Sequence, residues 1–226
     1  MDNSYQYSER DRAEISVFLP DTYKKVLEVG CGFGGFKKNL KIEAEIFGVE
    51  PNESAAIRAR SNGYKVLQGT FESVLADLTG HRFDLIICND VIEHMPDHDK
   101  FLQEIKKYIE PGGCLIGSVP NVRYFENLYS LLILKDWKYA NVGILDRTHL
   151  RFFTKKSLLR TFRDNGYKVD KLDGINNVFT TPARSVGQLI RFARIVRNIA
   201  LIFLIIISLG YFQDTCYPQF GFRIYQ

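Results

Sequence analysis

The stretch "VLEVGCGFGGF", Val26 to Phe36, constrains this chain more than any other. An apolar, strand-forming run ends at Val29, and Gly30, Gly32, Gly34 and Gly35 follow at once. Lacking Cβ, glycines let the chain turn sharply from strand to helix and let the backbone approach a ligand closely. A strand that runs into such a turn puts a ligand-facing loop at one end of a sheet.

Further strand-like runs recur downstream. "EIFGV", "YKVLQ", "FDLIIC" and "CLIGSV" are separated by segments long enough for helices, and "YKVDKL" and "QFGFRIYQ" add two more. The alternation predicts a doubly wound α/β fold, with a mostly parallel sheet and helices on both faces. Asn121 to Lys138 reads as a helix carrying "LYSLLIL", and residues 185–209 as a longer one. In "TKKSLLRTFRDNG", Thr154 is a cap and Gly166 a stop signal around apolar positions 158, 159 and 162. With 226 residues and 46% apolar content, the chain supports one substantial core and is expected to be a single domain over 1–226.

The formal charge of +4, from 30 basic and 26 acidic residues, is too small to mark a nucleic-acid binder. Cys31, Cys88, Cys114 and Cys216 are widely spaced and form no C-x-x-C pair. They read as reduced core residues of a cytoplasmic protein, so neither a metal site nor a disulfide frame is expected. "MDNSYQYSERDR" has no apolar core of a secretory signal.

The glycine loop fits two cofactors. Gly30, Gly32 and Gly35 match the G-x-G-x-x-G spacing of dinucleotide folds, whereas Glu28 with Gly30, Gly32 and Gly34 matches the E-x-G-x-G-x-G pattern of S-adenosylmethionine (SAM) enzymes. Glu50, about 20 residues on, suits the ribose that both cofactors carry. Glu28 separates them, because a carboxylate there would oppose a pyrophosphate but suits a sulfonium and an ammonium. SAM is therefore preferred over a nicotinamide dinucleotide.

With "FGVEP", "FDLIICNDVIEHMPD" and "IEPGGCLIGSVPN" following in order, the chain resembles the class I SAM-dependent methyltransferases. The resemblance implies a Rossmann-like, seven-stranded sheet whose last strand is antiparallel. It divides the chain into an N-terminal helix or lid (1–22), a cofactor-binding core (23–121) and substrate-side helices with the final strands (122–226). Gly30, Cys31, Gly32 and Gly34 would line the methionine part, Glu50 and Pro51 the ribose, and Asn89 and Asp90 the neighbourhood of the sulfonium. Many relatives carry Asp after the third strand, where this chain has Thr70; Glu72 or the backbone of Phe71 would serve the adenine instead. "GILDRTHLRFFTKKSLLRTFRDNGYKV" and "YQYSERDRAEISVFLP" resemble a bacterial subgroup associated with surface-glycan (O-antigen-type) biosynthesis. A small or glycan-type acceptor, methylated on a hydroxyl or amine, is the implied substrate.

Methyl transfer needs a base only when the acceptor must lose a proton. His149, in a loop that the resemblance places over the active site, and His94, after the fourth strand, are the candidate catalytic residues. Arg151 is a candidate substrate clamp, and Asp146 with Arg147 a loop latch. Tyr5, Tyr7 and Arg10 are candidates for the lid. The run "IALIFLIIISLGYF", Ile199 to Phe212, is short for a transmembrane span and follows Arg184, Arg191, Arg194 and Arg197. It is expected to be buried against the domain, to join two copies through 185–212, or to rest on the inner face of a membrane. A non-catalytic SAM-binding or membrane-associated scaffold is the alternative, and its sign would be a cavity blocked by the Asn121 to Lys138 helix.

Overall fold

The computed structural model describes residues 11–180 and 188–226, with side chains from residue 193 onward in the second span. Seven strands form one sheet: β1 (Lys25–Val29), β2 (Glu45–Glu50), β3 (Lys65–Gln68), β4 (Phe83–Asn89), β5 (Ile109–Pro120), β6 (Lys168–Ile175) and β7 (Gln219–Tyr225). Their order is β3-β2-β1-β4-β5-β7-β6. The first five pair in parallel, and β7 runs antiparallel between β5 and β6. This is the Rossmann-like class I arrangement that the sequence predicts.

Alternation along the strands divides the core in two. Leu27, Ile86, Cys88 and Leu115 point into one layer with Leu78, Phe101, Ile105, Leu158 and Phe162. Val26, Leu85, Ile87 and Ile116 point into the other with Ile15, Phe18, Phe36 and Tyr64. The first layer is covered by the short helix α2 (Leu75–Leu78), by α3 (His98–Lys106) and by α5 (Lys155–Asp164); α1 (Glu53–Ser61) contributes Ala59 to the second. Strands buried on both faces explain why "FDLIIC" is almost continuously apolar. Thr154 caps α5 in a reciprocal pair with Ser157, and Gly166 follows the helix with φ +72.

Two elements depart from expectation. The helix expected over Asn121 to Lys138 is confined to α4 (Phe125–Leu132). Asn121 is anchored to the sheet end instead: its N–H donates to Pro218, and its side-chain amide donates to Asp214 and Tyr217. Beyond α4, Lys135 takes a left-handed φ of 54 that ends helical continuation. The long helix α6 (Gln188–Ile207) forms as expected, but burial against the domain holds only in part. Leu201 is buried against Val178 and Cys216, while Ile199, Ile202, Phe203, Ile206 and Ile207 are exposed. No described helix is long and apolar enough to cross a membrane.

Candidate functional site

In the strand order, β1 and β4 lie side by side where the direction of winding reverses. Ligands in open α/β sheets collect outside the carboxyl ends of the strands at such a point. The loops that leave β1 and β4 border a cavity of about 970 Å³, whose wall includes Glu28, Gly30, Cys31, Gly32, Asn89, Asp90, Glu93, His94 and His149.

The β1 loop needs its glycines. Gly30, Gly32 and Gly34 have φ of +70, +51 and +75, and a Cβ on Gly30 would lie 3.0 Å from Val91. Glu28 sits beneath them, with Tyr64 Oη donating to it at 2.5 Å. Burial pushes its carboxyl up to about 8, against the opposing effects of Tyr64 and Arg12. Glu50, at the end of β2, accepts from the Gly32 N–H at 2.9 Å and the Asn52 N–H at 2.8 Å. It thereby ties the loop to the second strand. Glu50 is buried under the loop and, with Pro51, Thr70 and Phe71, lies off the cavity wall. The Phe71 ring belongs to the core, edge-on to Phe101.

At the end of β4, Asp90 takes a left-handed φ of 55. Its carboxylate accepts from Arg12 at 2.5 Å, Ser118 Oγ at 2.7 Å and Gln219 Nε2 at 2.9 Å. Arg12 also donates to Glu14 and Ser118, so the segment before β1 is fastened to the ends of β4, β5 and β7. Asn89 Nδ2 and Oδ1 are buried without hydrogen-bond partners. Four residues on, Glu93 is fully buried, and neither of its carboxylate oxygens has a partner. Burial, reinforced by Asp90, pushes its carboxyl well above the usual range.

His94 and His149 meet edge-to-face with ring centroids 4.7 Å apart. His149 Nδ1 faces the Ile144 carbonyl at 2.9 Å, and His94 Nδ1 the Thr148 carbonyl at 3.2 Å. A carbonyl only accepts, so each Nδ1 carries a proton, and in the neutral form of either ring the lone pair is on Nε2. Burial first, and then the neighbouring His149, lower the pKa of His94. The Leu150 and Arg151 N–H groups both donate to the Glu93 carbonyl, which stitches the His149 loop onto the turn after β4.

Arg151 does not join this group. Its guanidinium donates to the carbonyls of Leu150 and Pro96, away from the cavity wall, so the substrate clamp expected there is not formed. The expected Asp146–Arg147 latch is also absent; Asp146 accepts from the Thr148 N–H and hydroxyl instead. The arginines that do border the cavity are Arg12, engaged by Asp90, and Arg194 and Arg197 of α6. Arg197 lies 5.3 Å from the Phe125 ring centroid, joining α6 to α4. Tyr5, Tyr7, Arg10 and Arg184 lie outside the described residues, as does the Arg191 side chain.

Sequence reasoning missed Arg12, Glu93, Ser118 and Gln219. Glu93 stood inside "VIEHMPD" next to His94, and a carboxylate beside a candidate catalytic histidine was the available signal. Arg12 and Gln219 carried none, because their shared partner is far away in sequence.

Residues 5–172 match a family model described as a methyltransferase domain. The chain is 29% identical over 170 residues to the ubiquinone biosynthesis O-methyltransferase of Vibrio cholerae serotype O1, covering 71% of this chain and 68% of that protein. A SAM-dependent methyltransferase from Archaeoglobus fulgidus is similar in structure, with a TM-score of 0.60 at 18% identity, covering 90% of this chain and 86% of the other. An S-adenosylmethionine-dependent methyltransferase from Mesorhizobium loti has a TM-score of 0.59 at 14% identity, covering 97% and 100%. At these identities the two structures speak for the fold alone.

Proposed function

The chain belongs to the methyltransferase-domain family, and from that premise we propose that it moves the methyl group of SAM to a hydroxyl or amine of a glycan precursor held at a membrane surface. The observation that carries this reading is the single cavity bordered by both the glycine loop and the His94–His149 pair. Its residues fit the cofactor: the left-handed glycines leave a cradle without side chains, and Glu28 and Glu50 offer carboxylates at its base. When bound, SAM supplies a sulfonium-activated methyl group.

This chain's own residues do the rest. Glu28 would face the positive charge of the methionine portion, and a cation beside it would draw the carboxyl into its ionised form. The Glu50 oxygens accept the Gly32 and Asn52 N–H groups at the foot of the glycine loop, which places its carboxylate on the side where the ribose would lie. An acceptor hydroxyl would lie against His94 and His149, which could take its proton, while the cavity walls hold the acceptor for transfer. The Vibrio relative is by name an O-methyltransferase, which favours oxygen.

The glycan part is supported by the sequence resemblance of "GILDRTHLRFFTKKSLLRTFRDNGYKV". Membrane contact is supported by apolar side chains that α4, α6 and the residues after them leave in water, including Leu132, Ile133, Leu134, Ile199, Phe203 and Ile206. The two helices pack together through Phe125 and Leu201, and Arg194 and Arg197 stand beside this surface at the cavity. Such a pairing of apolar and basic surface suits anionic lipid. It also suits a phosphate-linked lipid whose sugar enters the cavity. The alternative of a non-catalytic scaffold lacks its expected sign, because α4 borders the cavity and does not fill it.

Tritiated-methyl SAM, offered with nucleotide sugars, lipid-linked sugars in vesicles and simple phenols, tests the acceptor class. Label is expected in the lipid-linked sugar, and label confined to the phenols would overturn the glycan assignment.

A further inference from the structure

We propose that Glu93, His94 and His149 bind a divalent transition cation at the acceptor end of the cavity. One ligand atom from each lies within 4.8 Å of the others. A cation with bonds of about 2.1 Å holds its ligand atoms at most ~4.2 Å apart, so closing the set asks only for small side-chain rotations.

Three independent features prepare the residues for this. Glu93 is fully buried with both carboxylate oxygens unpartnered, a state that is costly for an anion unless a positive charge meets it. Donation from Nδ1 of His149 and His94 to the Ile144 and Thr148 carbonyls orients both rings. Histidine ligands of metals are ordinarily fixed in this way, with the far ring nitrogen turned to the ion. Finally, the backbone bonds from Leu150 and Arg151 to Glu93 lock the two contributing segments together, so the three ligands are held in one frame.

The donor set names the class of ion. Asp90 would be the natural second carboxylate, but Arg12, Ser118 and Gln219 occupy it. Two imidazoles and one carboxylate remain. Magnesium and calcium prefer all-oxygen shells, whereas zinc, cobalt and manganese accept this mixture. All three ligands border the cavity, so the remaining coordination positions face the acceptor.

The consequence for catalysis rests on the methyl-transfer reading; the binding of the cation does not. With the cation bound, the histidine nitrogens that ligate it are engaged, so a coordinated hydroxyl would lose its proton to water in place of His94 or His149, and more readily than a free one. The oxygen then forms a bond to the methyl carbon as the carbon–sulfur bond breaks. Methyl ether, neutral S-adenosylhomocysteine and one proton in solvent are the products.

The test is a titration of chelator-stripped full-length protein with cobalt(II), read by visible absorption, and with zinc(II), read by calorimetry. Wild type should bind one equivalent of each ion. Glu93→Gln and His149→Ala should each weaken binding by about 10- to 100-fold while still binding S-adenosylhomocysteine, which shows that they are folded. Absence of stoichiometric binding in wild type, or unchanged binding in both variants, would overturn the site. With the site intact, transfer that is insensitive to stripping would refute the catalytic role, and loss of transfer restored by the cation would support it.

Discussion

At the end of β1, Glu28 has almost no contact with water and one hydrogen-bond partner, Tyr64. Its carboxyl, pushed up to about 8, holds a proton at neutral pH that an unfolded chain would have released. Folding therefore binds a proton, and stability contributed around this residue is lost as pH rises from the ordinary carboxyl range through about 8. Glu28→Gln removes that dependence, so its melting temperature should rise relative to wild type as pH goes from 5 to 8.5. Parallel melting curves for the two proteins across that range would contradict it. SAM, bringing positive charge, should also release up to one proton per molecule bound near pH 7, visible as a calorimetric enthalpy that changes with buffer ionisation enthalpy. The glycine turn and the carboxylates beside it could be singled out here because they depend on local spacing. Glu93 was not, because burial without a partner is a property of the tertiary structure. Arg151 was misjudged for the same reason: the carbonyls that claim its guanidinium come from Leu150 and Pro96, and only the fold brings Pro96 within reach.

Among the elements, the strands followed from sequence pattern, and the helix limits did not. Period-two and continuous apolar runs mark strands wherever a sheet is covered on its faces, so β1 to β7 could be read directly. The start of α4 depends on Asn121, which is held by residues around Asp214 and Pro218, nearly a hundred positions later. Within the sheet, a Cβ on Gly117 would lie 2.0 Å from the Cys88 carbonyl oxygen. Gly117→Ala should cost about 3 kcal/mol or more in chemical denaturation, by forcing β5 away from β4; a loss below 1 kcal/mol would show that the strands can part freely. For α6, replacing Ile199, Phe203 and Ile206 with serine should abolish sedimentation with anionic vesicles. If wild type never sediments and instead elutes as a dimer that the triple variant dissolves, the face joins two copies and the membrane assignment fails.

Across the whole molecule, a single sheet end organises both halves of the reaction. β1 and β2 carry Glu28, the glycine loop and Glu50, while the loop after β4 and the segment before α5 carry Glu93, His94 and His149. The cofactor side was legible in the sequence because its residues are contiguous or about 20 apart. The acceptor side joins residues more than fifty positions apart: His94 and His149 stood out in the sequence, but their pairing and the part of Glu93 emerged only from the fold. The division makes the two halves separable by mutation. The most direct measurement is a paired kinetic analysis of Glu50→Ala and His149→Ala with an acceptor that wild type methylates. Glu50→Ala should weaken SAM binding by about 1–3 kcal/mol, the value of a charged hydrogen-bond acceptor, and raise KM for SAM accordingly. His149→Ala should lower kcat at unchanged SAM affinity. Unchanged SAM affinity in Glu50→Ala, or wild-type kcat in His149→Ala, would contradict the assignment of one cavity to both substrates.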